Sequence, residues 1–168
     1  RPAFPDPPAS AYTNGVVTPH AAFLALRYAP REALANLQRL EHPSVVKIHD
    51  AGKHLGDHYL VLSLAEGRQV GGKLCLDVSD LPKPCPEGEI LAIAKHACSA
   101  LDYIHAQGFV HRDLKPGNLL LAGDKVILTD FGIAKIADAD RHTTAGVVKG
   151  NFSYMSPEQA RRESLDRR

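Results

Sequence analysis

Cysteine is scarce and carries no pairing pattern. The 168-residue chain has three, Cys75, Cys85 and Cys98. The number is odd and no two form a C-x-x-C pair, which argues against a disulfide framework or a zinc site and for free thiols in a reducing compartment. An excess of charge of either sign is also missing. Lys and Arg number 20 against 19 Asp and Glu, a formal net charge of +1. Nothing in that balance points to nucleic acid or to an anionic membrane surface. No apolar run approaches the roughly 18 residues of a membrane span. The longest, around Ala21–Leu26 and Tyr59–Ala65, are strand-sized. The N-terminus lacks the basic stretch and apolar stretch of a secretory leader. It opens on Arg1 rather than Met, so the sequence reads as a piece of something longer. No internal repeat is present. What remains is ordinary: 44% hydrophobic and 23% charged residues, a globular composition that excludes collagen, a low-complexity tail and a long coiled coil. The length suits one domain, able to bury about 70% of its unfolded surface.

Residues 1–20 read as irregular, broken by Pro2, Pro5, Pro7, Pro8 and Pro19, with Asn14-Gly15 as a turn. Phe23 to Leu26 is a candidate strand. Ala33, Leu34, Leu37 and Leu40 recur at helical spacing and predict a helix over about 31–41, with Pro30 at its start and His42-Pro43 at its end. Val45–Ile48 and His58–Leu64 read as strands, joined by a turn-rich link from Gly52 to Asp57. Residues 66–88 hold Gly67, Gly71, Gly72, Pro82, Pro84 and Pro86 and read as an irregular boundary between two parts of the fold. The strongest helical pattern follows. Ile90, Ile93, Ala94, Ala97, Leu101 and Ile104 share one face over about 87–106, and Gly108 lies just past the end. Leu119–Ala122 and Lys125–Leu128 flank Gly123-Asp124, the signature of a tight hairpin.

Two segments carry chemistry. One is His111-Arg112-Asp113-Leu114-Lys115-Pro116-Gly117-Asn118, the other Asp130-Phe131-Gly132 just beyond the hairpin. Together they suggest phosphoryl transfer. That reaction needs an acceptor for the attacking hydroxyl's proton, a cation on the transferring phosphate and hard oxygen ligands for magnesium. Asp113 can be the base. Lys115, two residues on in an extended loop, can meet the γ-phosphate as a point charge. Asn118 and Asp130 offer oxygens that suit magnesium.

These segments resemble the catalytic loop and magnesium motif of the protein kinase superfamily. Ser156-Pro157-Glu158 stands where kinases carry A-P-E, and Gly132-Ile133-Ala134-Lys135 with Gly150-Asn151-Phe152-Ser153-Tyr154-Met155 is similar to bacterial Ser/Thr kinases of the eukaryotic-like type. The resemblance runs from about Arg31 to the end. It implies a two-lobed α+β fold in truncated form, with 1–20 an irregular segment and 21–168 a partial kinase domain. Residues 21–66 would form the N-lobe part and 67–168 the C-lobe part. It implies ATP and Mg2+ as cofactors and a protein substrate phosphorylated on Ser or Thr, with no nucleic-acid partner. Asp113 and Lys115 take the catalytic roles, Lys115 also meeting ATP, and Asn118 and Asp130 hold the metal. The backbones of Ser63, Leu64 and Ala65 meet adenine, Leu62 is the gatekeeper and Leu120 packs beneath the ring. Leu37 and Ile48 join His111 and Phe131 in a hydrophobic stack. Thr143 or Thr144 would carry an activating phosphate that pairs with Arg112. The expected location is the cytoplasm, free or as the cytoplasmic part of a membrane-anchored kinase.

The pattern also has departures. Asn14-Gly15-Val16-Val17 is no match for the glycine-rich loop that covers the phosphates. Leu24-Ala25-Leu26-Arg27 fits the V-A-I-K strand with arginine in place of lysine, and a forked guanidinium does not replace a compact ammonium without loss. Its partner glutamate is Glu32 by type, while the His42-Pro43 register places it at Ala33. One residue of offset turns a side chain by about 100° around a helix. Asn151 stands where Ser/Thr kinases carry threonine. The alternatives from another class are a pseudokinase that binds nucleotide or partners without turnover, and an inactive fragment of a kinase.

Overall fold

Three antiparallel strands open the fold: β1 (Ala21–Leu26), β2 (Ile48–His54) and β3 (Asp57–Ser63), in the spatial order β1-β3-β2. This computed structural model describes residues 21–26, 36–54, 57–130, 152–161 and 163–167. The central strand β3 buries Leu60, Val61 and Leu62 in succession. A strand covered on both faces reads as a continuous apolar run, because neither face meets water. A bulge shifts the register of β2 between Ile48 and Asp50.

Here the structure corrects the sequence reading. Val45 makes only an isolated parallel bridge to Leu128, while β2 starts at Ile48 and continues through Gly52 to His54. The ladder to β3 supplies backbone bonds to any residue type, so a glycine and a lysine extend a strand that side-chain pattern would end. Of the helix expected over 31–41, residues 31–35 lie outside the described residues. Among those described, helix reaches Leu37 and gives way to turn bonds at Arg39 and Leu40.

The stretch 66–88 is more ordered than its composition implies. β4 (Arg68–Val70) and β5 (Lys73–Cys75) pair across Gly71 and Gly72, both at positive φ, 56° and 80°. Asp77 caps a following turn of 3-10 helix at Val78–Asp80 by accepting the Ser79 N–H at 2.8 Å. Arg68 forms an ion pair with Glu89, which joins β4 to the first turn of the next helix.

That helix, α1 (Glu87–Ala106), has the span its periodicity predicts. It ends in a Schellman motif. The Phe109 N–H donates to the Ile104 carbonyl at 2.9 Å and the Gly108 N–H to the His105 carbonyl at 3.0 Å, with Gly108 at φ 81°. Ala100 and Ile104 lie fully buried against β7 (Lys125–Leu128), which pairs with β6 (Leu119–Ala122) as a hairpin. Leu119, Leu121, Val126 and Leu128 are buried on one face, while Leu120 and Ile127 on the other are half-buried. The two-residue period of the strands thus meets an i, i+4 pair of the helix.

Segment 41–47 fastens the sheet to this lower body. Val46 N–H donates to the Leu128 carbonyl and Leu128 N–H to the Ser44 carbonyl, both at 2.9 Å. The His42 ring stacks on Tyr103 with centroids 5.0 Å apart, and its Nδ1 accepts the Ser44 N–H at 3.1 Å. Where β3 ends, the Ser63 N–H donates to the Lys47 carbonyl at 2.9 Å.

Gly67 closes the link between the two bodies. Its N–H donates to the Leu121 carbonyl at 2.9 Å and its carbonyl accepts the Gly123 N–H at 3.3 Å. Its φ is 79°, and an added Cβ would lie 2.7 Å from the Cys75 carbonyl oxygen. A side chain there meets both left-handed backbone strain and a clash with backbone that cannot swing away. Gly67→Ala should lower stability by about 2 kcal/mol or more. Gly72→Ala, at φ 80° with nothing within 4 Å, should lose only about 1 kcal/mol. Urea melts of the two variants check this, and equal losses would show that close approach at Gly67 adds nothing.

Candidate active site

The candidate site forms where the loop after α1 meets the end of β7. His111 is 2% exposed, and both ring nitrogens are used. Nδ1 accepts the Asp113 N–H at 3.3 Å and Nε2 lies 2.8 Å from the Thr129 carbonyl oxygen. A carbonyl only accepts, so the network assigns the neutral tautomer with its proton on Nε2. The sequence reading placed His111 in an apolar stack. It is buried as expected, but polar bonds hold it.

Pro116 begins a short turn of 3-10 helix, Pro116–Asn118, closed by the Asn118 N–H to the Lys115 carbonyl at 2.9 Å. Proline suits that position because the first residue of a helical turn has no partner for its N–H. The turn aims Asn118, 2% exposed, back at Asp113. Its Nδ2 donates to the Asp113 carbonyl at 2.8 Å and to Asp113 Oδ2 at 3.1 Å. Lys115 Nζ reaches the same Oδ2 at 2.8 Å. Asp113, Lys115 and Asn118 therefore converge. Both amide hydrogens of Asn118 are committed to Asp113, which leaves Oδ1 as the atom that could hold a cation.

Asp130 is brought to this cluster through the backbone. The Thr129 N–H donates to the Asn118 carbonyl at 3.0 Å, so the residue before Asp130 is bonded to Asn118. The Asp130 side chain is exposed. Among the described residues the non-glycine positions with positive φ are Arg112, at 64°, and Asp130, at 56°. Left-handed backbone costs an L-residue about 1–2 kcal/mol, and both instances fall at the ends of this cluster. Such strain persists where surrounding bonds over-determine it, which is common at functional sites.

The two oxygen donors, Asn118 Oδ1 and the Asp130 carboxylate, fit magnesium by type, since hard cations take oxygen ligands. Among the described residues no group of three or more His, Cys, Asp and Glu could hold a metal. A magnesium ion here would depend on phosphate oxygens as well. The residues expected to meet adenine lie apart from this cluster in the chain. Leu62 is 7% exposed at the end of β3, Leu64 is 46% exposed, and Ser63 and Ala65 are intermediate. Gly67, two residues past Ala65, is bonded to the Leu121 carbonyl of β6, the strand that carries Leu120. Arg27, Glu32, Ala33, Phe131, Thr143, Thr144 and Asn151 lie outside the described residues.

One residue near the site, Gln159, carries no functional mark in the sequence. Ser156 caps helix α2 (Pro157–Arg161), its Oγ accepting the Gln159 N–H at 3.3 Å while Gln159 Oε1 accepts the Ser156 N–H at 3.0 Å. This is a reciprocal capping box, legible as S-x-x-Q in the sequence. Its consequence was not legible: Gln159 Nε2 donates to the Arg112 carbonyl at 2.6 Å, across 47 residues.

The sequence profile described as the protein kinase domain matches residues 26–168, and the chain belongs to that family. Over 144 residues it is 34% identical to the serine/threonine-protein kinase PknB of Mycobacterium leprae, covering 82% of this chain and 22% of that protein. Over 140 residues it is 38% identical to the serine/threonine-protein kinase pkn2 of Myxococcus xanthus, covering 79% of this chain and 16% of that protein. The chain thus spans less than a quarter of the length of these curated relatives. The crystal structure of the Mycobacterium tuberculosis PknI kinase domain superposes with a TM-score of 0.58 at 28% identity, covering 79% of this chain and 46% of that one. The α+β kinase fold expected from the sequence is the fold observed, in part of its full extent. Among the described residues no helix is long and apolar enough to cross a membrane.

Proposed function

We propose that the full chain is an ATP- and magnesium-dependent protein serine/threonine kinase. The observation that carries this reading is the convergence of Asp113, Lys115 and Asn118, with Asp130 fastened to them through the Thr129–Asn118 backbone bond. Asp113 accepts the proton of the substrate hydroxyl at a carboxylate oxygen, and Asn118 and Lys115 hold that carboxylate in place. Lys115 then has a second use. Its ammonium, held on Asp113 Oδ2 at 2.8 Å, can shift to a γ-phosphate oxygen as negative charge builds. Asn118 Oδ1 and Asp130 would hold magnesium, which when bound neutralises phosphate charge. The backbones of Ser63 to Ala65 face adenine, with Leu62 behind and Leu120 beneath it. We assign 21–66 to the N-lobe and 67–168 to the C-lobe, and a cytoplasmic site of action where ATP is plentiful.

The test is transfer of label from γ-labelled ATP to a protein acceptor by the full chain, with and without magnesium. Phosphoserine or phosphothreonine in the acid hydrolysate is the expected product. Nucleotide binding without transfer would instead favour the pseudokinase alternative.

A further inference from the structure

We infer that Gln159 is a positioning residue for Asp113, an assignment that rests on the proposed role of Asp113 as the base. Its side chain holds one edge of a single peptide plane, and His111 holds the opposite edge.

The plane in question is the peptide between Arg112 and Asp113. Its carbonyl oxygen, on Arg112, accepts Gln159 Nε2 at 2.6 Å. Its N–H, on Asp113, donates to His111 Nδ1 at 3.3 Å. A peptide is planar and rigid, so fixing both its polar ends fixes the plane. That plane leads directly into the Cα of Asp113 and sets the direction in which its carboxylate leaves the backbone. It also follows a residue with φ 64°, a conformation that an arginine does not hold unaided. Two bonds from opposite sides supply what the sequence does not, since no glycine stands there.

The bond also joins two parts of the chain that are otherwise far apart in sequence. Gln159 Oε1 is engaged by the Ser156 N–H, so the side chain cannot turn without breaking the cap of α2. Any displacement of α2 therefore reaches the Arg112 carbonyl. On the far side, His111 passes the restraint to the Thr129 carbonyl, adjacent to Asp130. Gln159 is thus a link by which the segment around Ser156-Pro157-Glu158 reaches the geometry of the base.

Two substitutions in the full chain separate this role from helix capping. Gln159→Glu keeps an oxygen for the Ser156 N–H but loses the donor to Arg112. Ser156→Ala removes the Oγ half of the cap and leaves the Gln159–Arg112 bond. Gln159→Glu should lower kcat about tenfold, the worth of one such hydrogen bond, with KM for ATP unchanged. Deuterium exchange at the Asp113 amide should quicken by about the same factor. Ser156→Ala should stay within about twofold of wild type in both measurements. Unchanged exchange at Asp113 in Gln159→Glu overturns the inference, as does an equal loss in Ser156→Ala. If wild type transfers no phosphate, the kinase reading fails, and the exchange comparison still decides whether Gln159 holds the plane.

Discussion

Asp113→Asn should lower phosphoryl transfer by about 10²–10⁴-fold, the usual worth of a general base, and leave nucleotide affinity nearly unchanged. The substitution preserves size and keeps one oxygen to accept Lys115 or Asn118, both of which now reach Oδ2 at 2.8 and 3.1 Å. It removes the lone pair that takes the hydroxyl proton and places an amide in its stead. Geometry is therefore nearly conserved while basicity is lost. Initial rates with γ-labelled ATP, beside calorimetric titration with a non-hydrolysable analogue, separate the two. Transfer at the wild-type rate would remove Asp113 from the reaction.

Asp130→Ala should abolish the magnesium-dependent part of the stabilisation by ATP. At a ligand concentration 100-fold above Kd that stabilisation is about 2.7 kcal/mol, or roughly 5–10 °C in Tm for a domain of this size. Alanine at φ 56° also adds backbone strain, so the unliganded variant should melt lower than wild type. Asp130→Asn isolates the two effects, because asparagine tolerates the left-handed conformation. It should keep the unliganded Tm and lose most of the increment from magnesium. The measurement is a melt with ATP plus magnesium against ATP plus chelator. Equal increments in wild type and Asp130→Ala would show that this carboxylate binds no metal.

The parts of the fold that sequence made visible are those with a strong period. Six apolar positions on one face define α1 from Glu87 to Ala106, with Gly108 to stop it. Gly123-Asp124 between two apolar runs defines β6 and β7. The strands that went unread depend on backbone pairing instead. β2 crosses Gly52 because β3 holds it, and β4 and β5 are three residues each, too short to show alternation. At the site, Asp113, Lys115 and Asn118 could be named together because all three lie within one loop. The restraints on that loop come from Thr129 and Gln159, 18 and 47 residues from the groups they bond. Local sequence carries no sign of such partners.

The fastening at 41–47 decides how the sheet can move. His42 and residues 44–46 belong mechanically to α1 and β7, since stacking on Tyr103 and the bonds to Leu128 tie them there. Among the described residues the chain passes between the two bodies at Lys47 and again at Ser63. Those crossings are not independent, because the Ser63 N–H and the Lys47 carbonyl are bonded to each other at 2.9 Å. Two crossings joined at one point behave as a pin. Rotation of the three strands about that point is the motion that keeps this bond, while translation along it or twist across it would break it. The bulge between Ile48 and Asp50 sits immediately beyond the pin, so the regular ladder of β2 with β3 runs only from Asp50 onward.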